Sequence, residues 1–142
     1  MIPLRKKATP PPAKKALVIV IADDVEEIQH LVSTWLEEDG HVVVRAGSGR
    51  EIVRIVRERP VDLVITDVLM PDGDGLDAIL ALSRVRPTTR ILAISGGGRM
   101  QPADACLRVA KGVGADAVLL KPFGRPQLLS AVQRTMREDS AR

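Results

Sequence analysis

The sequence predicts an α/β fold: a doubly wound, five-stranded parallel sheet of strand order 2-1-3-4-5, with helices on both faces. Three observations support this fold class. From residue 16 onward, short apolar runs alternate with amphipathic segments in five successive βα units. Most of these runs are continuously apolar, as expected for strands that are buried on both faces. Right-handed crossovers and a length of 142 residues leave few other topologies.

The first predicted unit is a buried strand followed by an amphipathic helix. Residues 16–22 (ALVIVIA) are continuously apolar, and residues 25–39 carry apolar side chains three and four positions apart, on one helix face. Gly40 stands where a glycine commonly ends a helix in the left-handed conformation. Residues 41–46 (HVVVRA) are the second predicted strand.

Ser48 and Glu51 mark the start of the second predicted helix, because a serine with a glutamate three residues later has the spacing of a capping box. Pro60 ends this helix, since a proline in a helix interior removes a backbone hydrogen bond and clashes with the preceding turn. The third strand is predicted over residues 63–66, directly before Asp67.

The remaining units repeat this pattern. A helix over residues 75–86 leads to a strand over residues 90–95 (RILAIS), and a weaker helix over residues 103–113 leads to a strand over residues 117–121. The final helix is predicted over residues 126–137.

Residues 1–15 differ in composition from the rest of the chain, with four prolines, five basic residues and no acidic ones. We expect a disordered basic, proline-rich arm here, a folded domain over residues 16–137 and a short tail over residues 138–142. The formal net charge of the chain is +3. Without the five cations of the arm, 16 basic residues face 18 acidic ones, so the domain itself is slightly acidic.

Composition excludes several classes of protein. A single cysteine, Cys106, cannot form an intrachain disulfide, and His30 and His41 do not have the spacing of metal ligands. Trp35 and Phe123 are the only aromatic residues, too few for a platform that stacks single-stranded nucleic acid. The first apolar run is too short to span a bilayer and no cleavage site follows it, so we expect no membrane span and a cytoplasmic location.

Polar side chains mark the carboxyl ends of four predicted strands. They are Asp23 and Asp24 after the first strand, Asp67 after the third, Ser95 at the end of the fourth and Lys121 at the end of the fifth. Strands 1, 3, 4 and 5 are neighbours in the predicted order, and doubly wound sheets bind ligands outside the carboxyl ends of their strands. We therefore expect all five side chains at one rim of the sheet.

These groups suit phosphoryl chemistry. Three close carboxylates need a divalent cation, and Mg²⁺ prefers oxygen ligands and usually keeps a phosphate oxygen in its shell. Asp67 can act as a nucleophile that becomes an aspartyl phosphate. Lys121 can neutralise charge on the phosphoryl oxygens, and Ser95 can donate a hydrogen bond to one of them.

Each of these residues also has a purely structural explanation when it is taken singly. Asp23 or Asp24 can cap the first helix, and Asp67 can belong to a turn. Ser95 can be part of the glycine loop that follows it, and Lys121 can be a surface lysine at a strand end. Their coincidence at one predicted crevice favours a functional site.

Four segments resemble the receiver domain of two-component response regulators, which has the CheY-like, flavodoxin-like fold. They are IADDVEEI, VITDVLMPDGDGLDAI, AISGGG and LLKPF, and the resemblance covers essentially all of residues 16–137. It implies that Asp67 accepts a phosphoryl group from a sensor histidine kinase or a histidine phosphotransfer protein. It also implies a Mg²⁺ ion that is bound by Asp24 directly, by Asp23 through water, and by Asp67 and the Leu69 backbone carbonyl.

The resemblance implies switch residues as well, with one departure. Ser95 and Pro122 occupy the expected positions, and the bond between Lys121 and Pro122 is expected to be cis. Receivers commonly carry Tyr or Phe three residues before the lysine, where this chain has Val118. We therefore expect phosphorylation to occur, with altered coupling to the face formed by the fourth helix, the fifth strand and the fifth helix.

Only five residues follow Arg137, which favours a stand-alone receiver. Such a protein signals by docking to a downstream protein, which the sequence does not identify, or by passing its phosphoryl group along a relay. On this interpretation the protein is not an enzyme beyond its own phosphorylation and dephosphorylation, and it does not bind DNA directly.

Three rival functions remain open at this point. A phosphohydrolase of the haloacid-dehalogenase type would carry a second aspartate two residues after the nucleophile, where this chain has Leu69. The basic arm could instead bind nucleic acid or an anionic membrane through its five charges. A degenerate receiver could signal without phosphate, although the complete set of pocket residues argues against it.

Overall fold

The computed structural model describes residues 15–68, 70, 75–96 and 103–137, except for the side chains of residues 103–107. Five strands and five helices alternate within these ranges. The strands are β1 (Val18–Ala22), β2 (Val42–Ala46), β3 (Leu63–Asp67), β4 (Arg90–Ser95) and β5 (Ala117–Leu120). The helices are α1 (Glu26–Glu38), α2 (Gly49–Glu58), α3 (Gly75–Val85), α4 (Ala103–Val113) and α5 (Arg125–Arg137).

Every element lies within two residues of its predicted bounds. The largest difference is at β1, which begins at Val18 rather than at residue 16. Apart from residue 15, the predicted arm lies outside the described residues, as does the predicted tail. None of the helices in the described ranges is long and apolar enough to cross a membrane.

All five strands run parallel in one sheet of order β2-β1-β3-β4-β5, which confirms the predicted topology. The register aligns the strand ends: Ala22 pairs with Thr66, and Ser95 pairs with Leu120. Because the sheet is parallel, the carboxyl ends of β1, β3, β4 and β5 lie along one edge.

Helices cover both faces of the sheet. One face packs against α1 and α5 through a cluster that includes Ile21, Ile65 and Leu128, all fully buried. The opposite face packs against α2, α3 and α4 through a cluster that includes Val64 and Ile79. Burial of each such side chain contributes about 1.5–3 kcal/mol, so this aliphatic core holds the strand ends in fixed positions.

Polar residues directly before three of the strands bind the backbone of a neighbouring strand. Asp62 Oδ2 accepts a hydrogen bond from Val18 N at 2.8 Å, and Asp116 Oδ2 accepts one from Ile91 N at 2.7 Å. His41, directly before β2, accepts a hydrogen bond at Nδ1 from Leu17 N, the residue directly before β1. These bonds satisfy strand N–H groups at the amino edge of the sheet, which would otherwise be costly to bury.

The helix ends follow the signals in the sequence. Gly40 has a φ angle of +94°, the left-handed conformation expected after α1. Ser48 Oγ accepts a hydrogen bond from Glu51 N at 3.2 Å, which confirms the cap of α2. The Glu51 side chain accepts a hydrogen bond from Gly47 N, one residue before the position that a capping box uses.

Candidate functional site

Four strand ends bring the predicted site residues to one edge of the sheet. Asp67 and Ser95 are the last residues of β3 and β4, Asp23 and Asp24 follow β1, and Lys121 follows β5. These strands are neighbours, so the five residues lie together outside their carboxyl ends. We term this set of five residues the carboxyl-end rim.

Three carboxylates form one side of the carboxyl-end rim. One oxygen each from Asp23, Asp24 and Asp67 lies within 4.8 Å of the other two. Asp23 and Asp67 are each only 6% exposed, whereas Asp24 is exposed to solvent. Negative charges at this spacing repel each other more strongly near the protein interior than in water, because the local dielectric screens them less.

Lys121 bridges the two buried carboxylates. Its Nζ atom lies 2.8 Å from Asp23 Oδ2 and 2.9 Å from Asp67 Oδ2. Burial by itself lowers the pKa of Lys121, but the hydrogen bonds and negative charges of Asp23 and Asp67 outweigh it and raise the pKa above 10.5. The ammonium is therefore fully charged at neutral pH and offsets part of the repulsion.

Ser95 and Lys121 are joined by a backbone hydrogen bond. The Ser95 carbonyl accepts a hydrogen bond from Lys121 N at 3.0 Å, and Ser95 is 1% exposed. The bond between Lys121 and Pro122 is cis, as expected. Gly96 follows Ser95, and a Cβ atom at this glycine would lie 3.5 Å from Lys121 Cβ. The glycine therefore leaves one side of the lysine stem uncovered.

The acidic pair does not act as the side-chain cap of α1. The N-cap residue is Val25, and no side chain caps this end of the helix. Asp23 Oδ1 accepts a hydrogen bond from Val25 N at 2.8 Å, which turns Asp23 Oδ2 toward Lys121. Capping of the first helix, the structural alternative considered for Asp23 or Asp24, therefore does not account for either residue.

The carboxyl-end rim fits a divalent cation. Asp23 Oδ2 is fully buried, and Lys121 Nζ at 2.8 Å is the cation that it contacts. Oxygen atoms of Asp23, Asp24 and Asp67 are the kind of ligand that Mg²⁺ prefers. Leu69, whose backbone carbonyl is the other expected ligand, lies outside the described residues.

Gly75 is a site residue that the sequence analysis missed. A Cβ atom on Gly75 would overlap the carbonyl oxygen of Asp67 and would lie 2.9 Å from that of Val68. The first residue of α3 therefore approaches the backbone of the phosphoacceptor candidate so closely that only glycine fits. The sequence did contain a signal for this contact: glycine disfavours the helical conformation, so a glycine at the first position of a predicted helix indicates a close backbone approach.

Two predicted switch residues lie near Lys121 in the sequence. Val118 is half-buried on β5, and Pro122 follows the lysine and is exposed. Both line a groove of about 820 Å³ between α4 and α5. Whether Ser95, Val118 and Pro122 change position on phosphorylation stays a prediction.

Comparisons with known proteins agree with this geometry. A family model described as the response regulator receiver domain matches residues 19–133. The DNA-binding transcriptional regulator NtrC of Azospirillum brasilense is 34% identical over 125 residues, which cover 88% of this chain and 25% of that protein. Chemotaxis protein CheY of Halobacterium salinarum is 28% identical over 114 residues, which cover 80% of this chain and 92% of that protein.

Solved structures show the same fold. Chemotaxis response regulator CheY4 of Vibrio cholerae superimposes with a TM-score of 0.76 at 28% identity, covering 85% of this chain and 99% of that one. NtrX of Brucella abortus gives a TM-score of 0.80 at 24% identity, covering 89% of this chain and 28% of that one. The chain thus spans nearly all of the CheY proteins but about a quarter of NtrC and NtrX.

Proposed function

The chain belongs to the response regulator receiver domain family, and from this premise we propose that it is a phosphoacceptor whose Asp67 carries a signalling phosphoryl group. The observation that carries the proposal is the bridge from Lys121 to Asp23 and Asp67 at the carboxyl-end rim. A buried aspartate beside an ammonium and two further carboxylates has the groups that phosphoryl transfer needs.

Asp67 is the nucleophile in this proposal. One of its carboxylate oxygens forms a bond to phosphorus while the bond between phosphorus and a donor histidine nitrogen breaks. The leaving nitrogen keeps the bonding electron pair and takes up a proton. The donor is a sensor histidine kinase or a histidine phosphotransfer protein.

Lys121 and Ser95 stabilise the transferred group. The ammonium of Lys121, now 2.9 Å from Asp67, neutralises negative charge on a phosphoryl oxygen, and the Ser95 hydroxyl donates a hydrogen bond to another. A backbone hydrogen bond from Lys121 N to the Ser95 carbonyl links the two residues.

Asp23, Asp24 and Asp67 would hold Mg²⁺. When bound, this ion supplies positive charge that offsets the charge of the three carboxylates and of the phosphoryl oxygens. The protein's own part is to present the carboxylate oxygens from rigid strand ends, with Gly75 fixing the backbone of Asp67.

The output of the proposed switch is protein binding. The phosphorylated domain docks to a downstream protein or passes its phosphoryl group to the next histidine of a relay. The domain catalyses only its own phosphorylation and dephosphorylation.

Intact-mass measurement tests the proposal. The purified chain is incubated with acetyl phosphate and Mg²⁺, and a gain of one phosphoryl group is expected. Asp67→Asn and removal of Mg²⁺ should each abolish the gain, while Asp77→Asn, an exposed aspartate in the first turn of α3, should keep it. A gain that persists in Asp67→Asn, or its absence in the folded wild-type protein with beryllofluoride binding also absent, would overturn the proposal.

A further inference from the structure

A groove of about 610 Å³ lies between α2 and α3, which pack against each other. The α2 side of the groove carries Arg50, Val53 and Arg57. These residues are three and seven positions apart, so they share one face of the helix. The α3 side carries Ala78 and Ala81. We term this space the α2–α3 groove.

The floor of the α2–α3 groove is apolar. Val53 is half-buried and packs against the core on this face of the sheet. Ala78 is buried and Ala81 is half-buried. Because both α3 positions carry only a methyl group, a side chain the size of leucine can enter from outside and rest between the two helices.

Two cations at the groove have no internal partner. Arg54 forms ion pairs within α2, with Glu51 Oε2 at 3.3 Å and with Glu58 Oε1 at 3.0 Å. Arg50 and Arg57 are exposed, and the side chain of neither forms an ion pair or a hydrogen bond with another described residue. Both guanidinium groups are therefore available to carboxylates of a ligand.

The spacing of these two arginines matches the repeat of a second helix. A rise of about 1.5 Å per residue places Arg50 and Arg57 about 10 Å apart along the axis of α2. Carboxylates seven positions apart on another helix have the same separation, and the residues three and four positions after the first carboxylate lie on the same face between them. Such a helix can pair with both arginines while an apolar side chain contacts Val53.

Negative charge at the groove distinguishes among anionic ligands. Glu58 and Asp77 also line it, and both are exposed. A nucleic acid or an anionic lipid surface presents a continuous array of negative charge, which these two carboxylates would repel. A protein helix can place carboxylates opposite the arginines alone, so the charge pattern favours a protein ligand.

We propose that the α2–α3 groove binds an acidic amphipathic helix of a partner protein. Two carboxylates of that helix, seven positions apart, pair with Arg50 and Arg57, and a leucine-sized side chain between them packs on Val53. The groove shares no residue with the carboxyl-end rim or with the groove between α4 and α5. The inference therefore goes beyond the proposed function and does not depend on it.

A synthetic peptide tests the inference. It consists of two copies of the heptad Glu-Ala-Gln-Leu-Leu-Gln-Ala with acetyl and amide ends, and it is titrated into the ¹⁵N-labelled full chain. We expect backbone amide shifts to cluster at residues 49–58 and 75–85.

Two control peptides should bind more weakly. One has Lys in place of both Glu residues, which reverses the charge that the arginines attract. The other exchanges each Glu with the Gln two positions later, which moves the carboxylates to the opposite face of the helix at unchanged composition.

Variants of the groove sharpen the test. Arg50→Glu combined with Arg57→Glu should weaken peptide binding about tenfold, because two attractive charges become repulsive. Arg134→Glu combined with Arg137→Glu changes the net charge equally at exposed positions of α5 and should leave binding unchanged. Ala81→Leu should weaken binding with all charges retained, since the longer side chain fills the space between the helices. Circular dichroism checks that each variant is folded.

Several outcomes would overturn the inference. They are absence of peptide binding, shifts that cluster outside the α2–α3 groove, equal binding of the control peptides, and an equal loss of affinity in the two double variants, which would show a response to net charge alone. Groove shifts that depend on protein concentration without peptide would also overturn it, because they would identify a second copy as the occupant. Intact mass after acetyl phosphate treatment reports on the proposed function separately. If the wild-type chain gains a phosphoryl group but the peptide does not bind, only the docking inference fails.

Discussion

At the scale of single residues, the carboxyl-end rim sets one ammonium against three carboxylates. Lys121 Nζ lies within 3 Å of oxygens of both Asp23 and Asp67, and its raised pKa keeps it charged well above neutral pH. The same carboxylates are the candidate ligands of Mg²⁺. A metal ion bound there would therefore compete with Lys121 for the same oxygens.

Lys121→Met should raise the affinity for Mg²⁺ about tenfold, equivalent to ~1.4 kcal/mol, because the competing cation is removed. Phosphorylation by acetyl phosphate should be slower, since the phosphoryl oxygens lose a positive neighbour. Isothermal titration calorimetry measures the first effect and intact mass the second. Lys111→Met on α4 is the control, and equal Mg²⁺ affinity in both variants would contradict the competition.

Gly75→Ala should destabilise the fold by about 1–3 kcal/mol, because the new methyl group overlaps the carbonyl of Asp67 and cannot be accommodated without a backbone shift. Phosphorylation should be impaired in the same variant. Gly112→Ala is the matched control, since a Cβ atom at that helical glycine meets nothing within 4 Å. It should gain about 0.5–1 kcal/mol. Urea unfolding monitored by circular dichroism measures both, and equal stabilities would contradict the close approach.

At the scale of elements, the parallel strands are aligned by polar residues at their amino ends. Asp62 and Asp116 stand directly before β3 and β5, and each accepts a hydrogen bond from the backbone of a strand beside its own. This arrangement satisfies strand N–H groups at the edge opposite the carboxyl-end rim. The register of the strands, and hence the geometry of the rim, depends in part on these two carboxylates.

Asp62→Ala should lower the free energy of unfolding by about 1–3 kcal/mol, because Val18 N loses its acceptor in a partly buried position. Asp62→Asn retains an oxygen acceptor and should recover most of that loss. Chemical denaturation of the three proteins checks the order of stability. A loss as large in Asp62→Asn as in Asp62→Ala would show that the negative charge, rather than the hydrogen bond, matters.

The elements themselves could be predicted from the sequence because each signal was local. Continuous apolar runs predicted the strands. Ser48 and Glu51 predicted the start of α2 through a side-chain cap, and Gly40 predicted the end of α1 through its left-handed conformation. Convergence of Asp23, Asp67, Ser95 and Lys121 followed from strand order alone.

Other contacts could not be predicted, because they depend on distances across the fold. The hydrogen bonds of Asp62 and Asp116 and the bridge from Lys121 to two aspartates join residues from different units. The overlap at Gly75 depends on how closely the start of α3 approaches the end of β3. Sequence spacing carries no information about such contacts. The groove beside Val118 likewise exists only once α4, β5 and α5 are packed together.

At the scale of the whole molecule, we expect metal binding at the site to be coupled to the stability of the fold. A ligand that binds only the folded chain stabilises it by ~2.7 kcal/mol at a concentration one hundred times its Kd. The three carboxylates come from two separate strand ends and are together only in the folded state. Mg²⁺ should therefore stabilise the entire domain and not only the rim.

Saturating Mg²⁺ should raise Tm by several degrees in differential scanning calorimetry, and the increase should be smaller in Asp67→Asn, which removes one ligand charge. A potassium salt at equal ionic strength is the control, because it screens charge repulsion without binding specifically to the carboxylates. An equal increase with K⁺ would show general charge screening instead of a specific site.

The central claim is that the phosphoryl group resides on Asp67, and locating it directly is the decisive measurement. The chain is phosphorylated with acetyl phosphate and Mg²⁺, reduced with borohydride to convert the acyl phosphate to homoserine, and digested for peptide mass spectrometry. We predict that homoserine appears at Asp67 alone. Homoserine at Asp23, Asp24 or another aspartate in place of Asp67 would contradict the account.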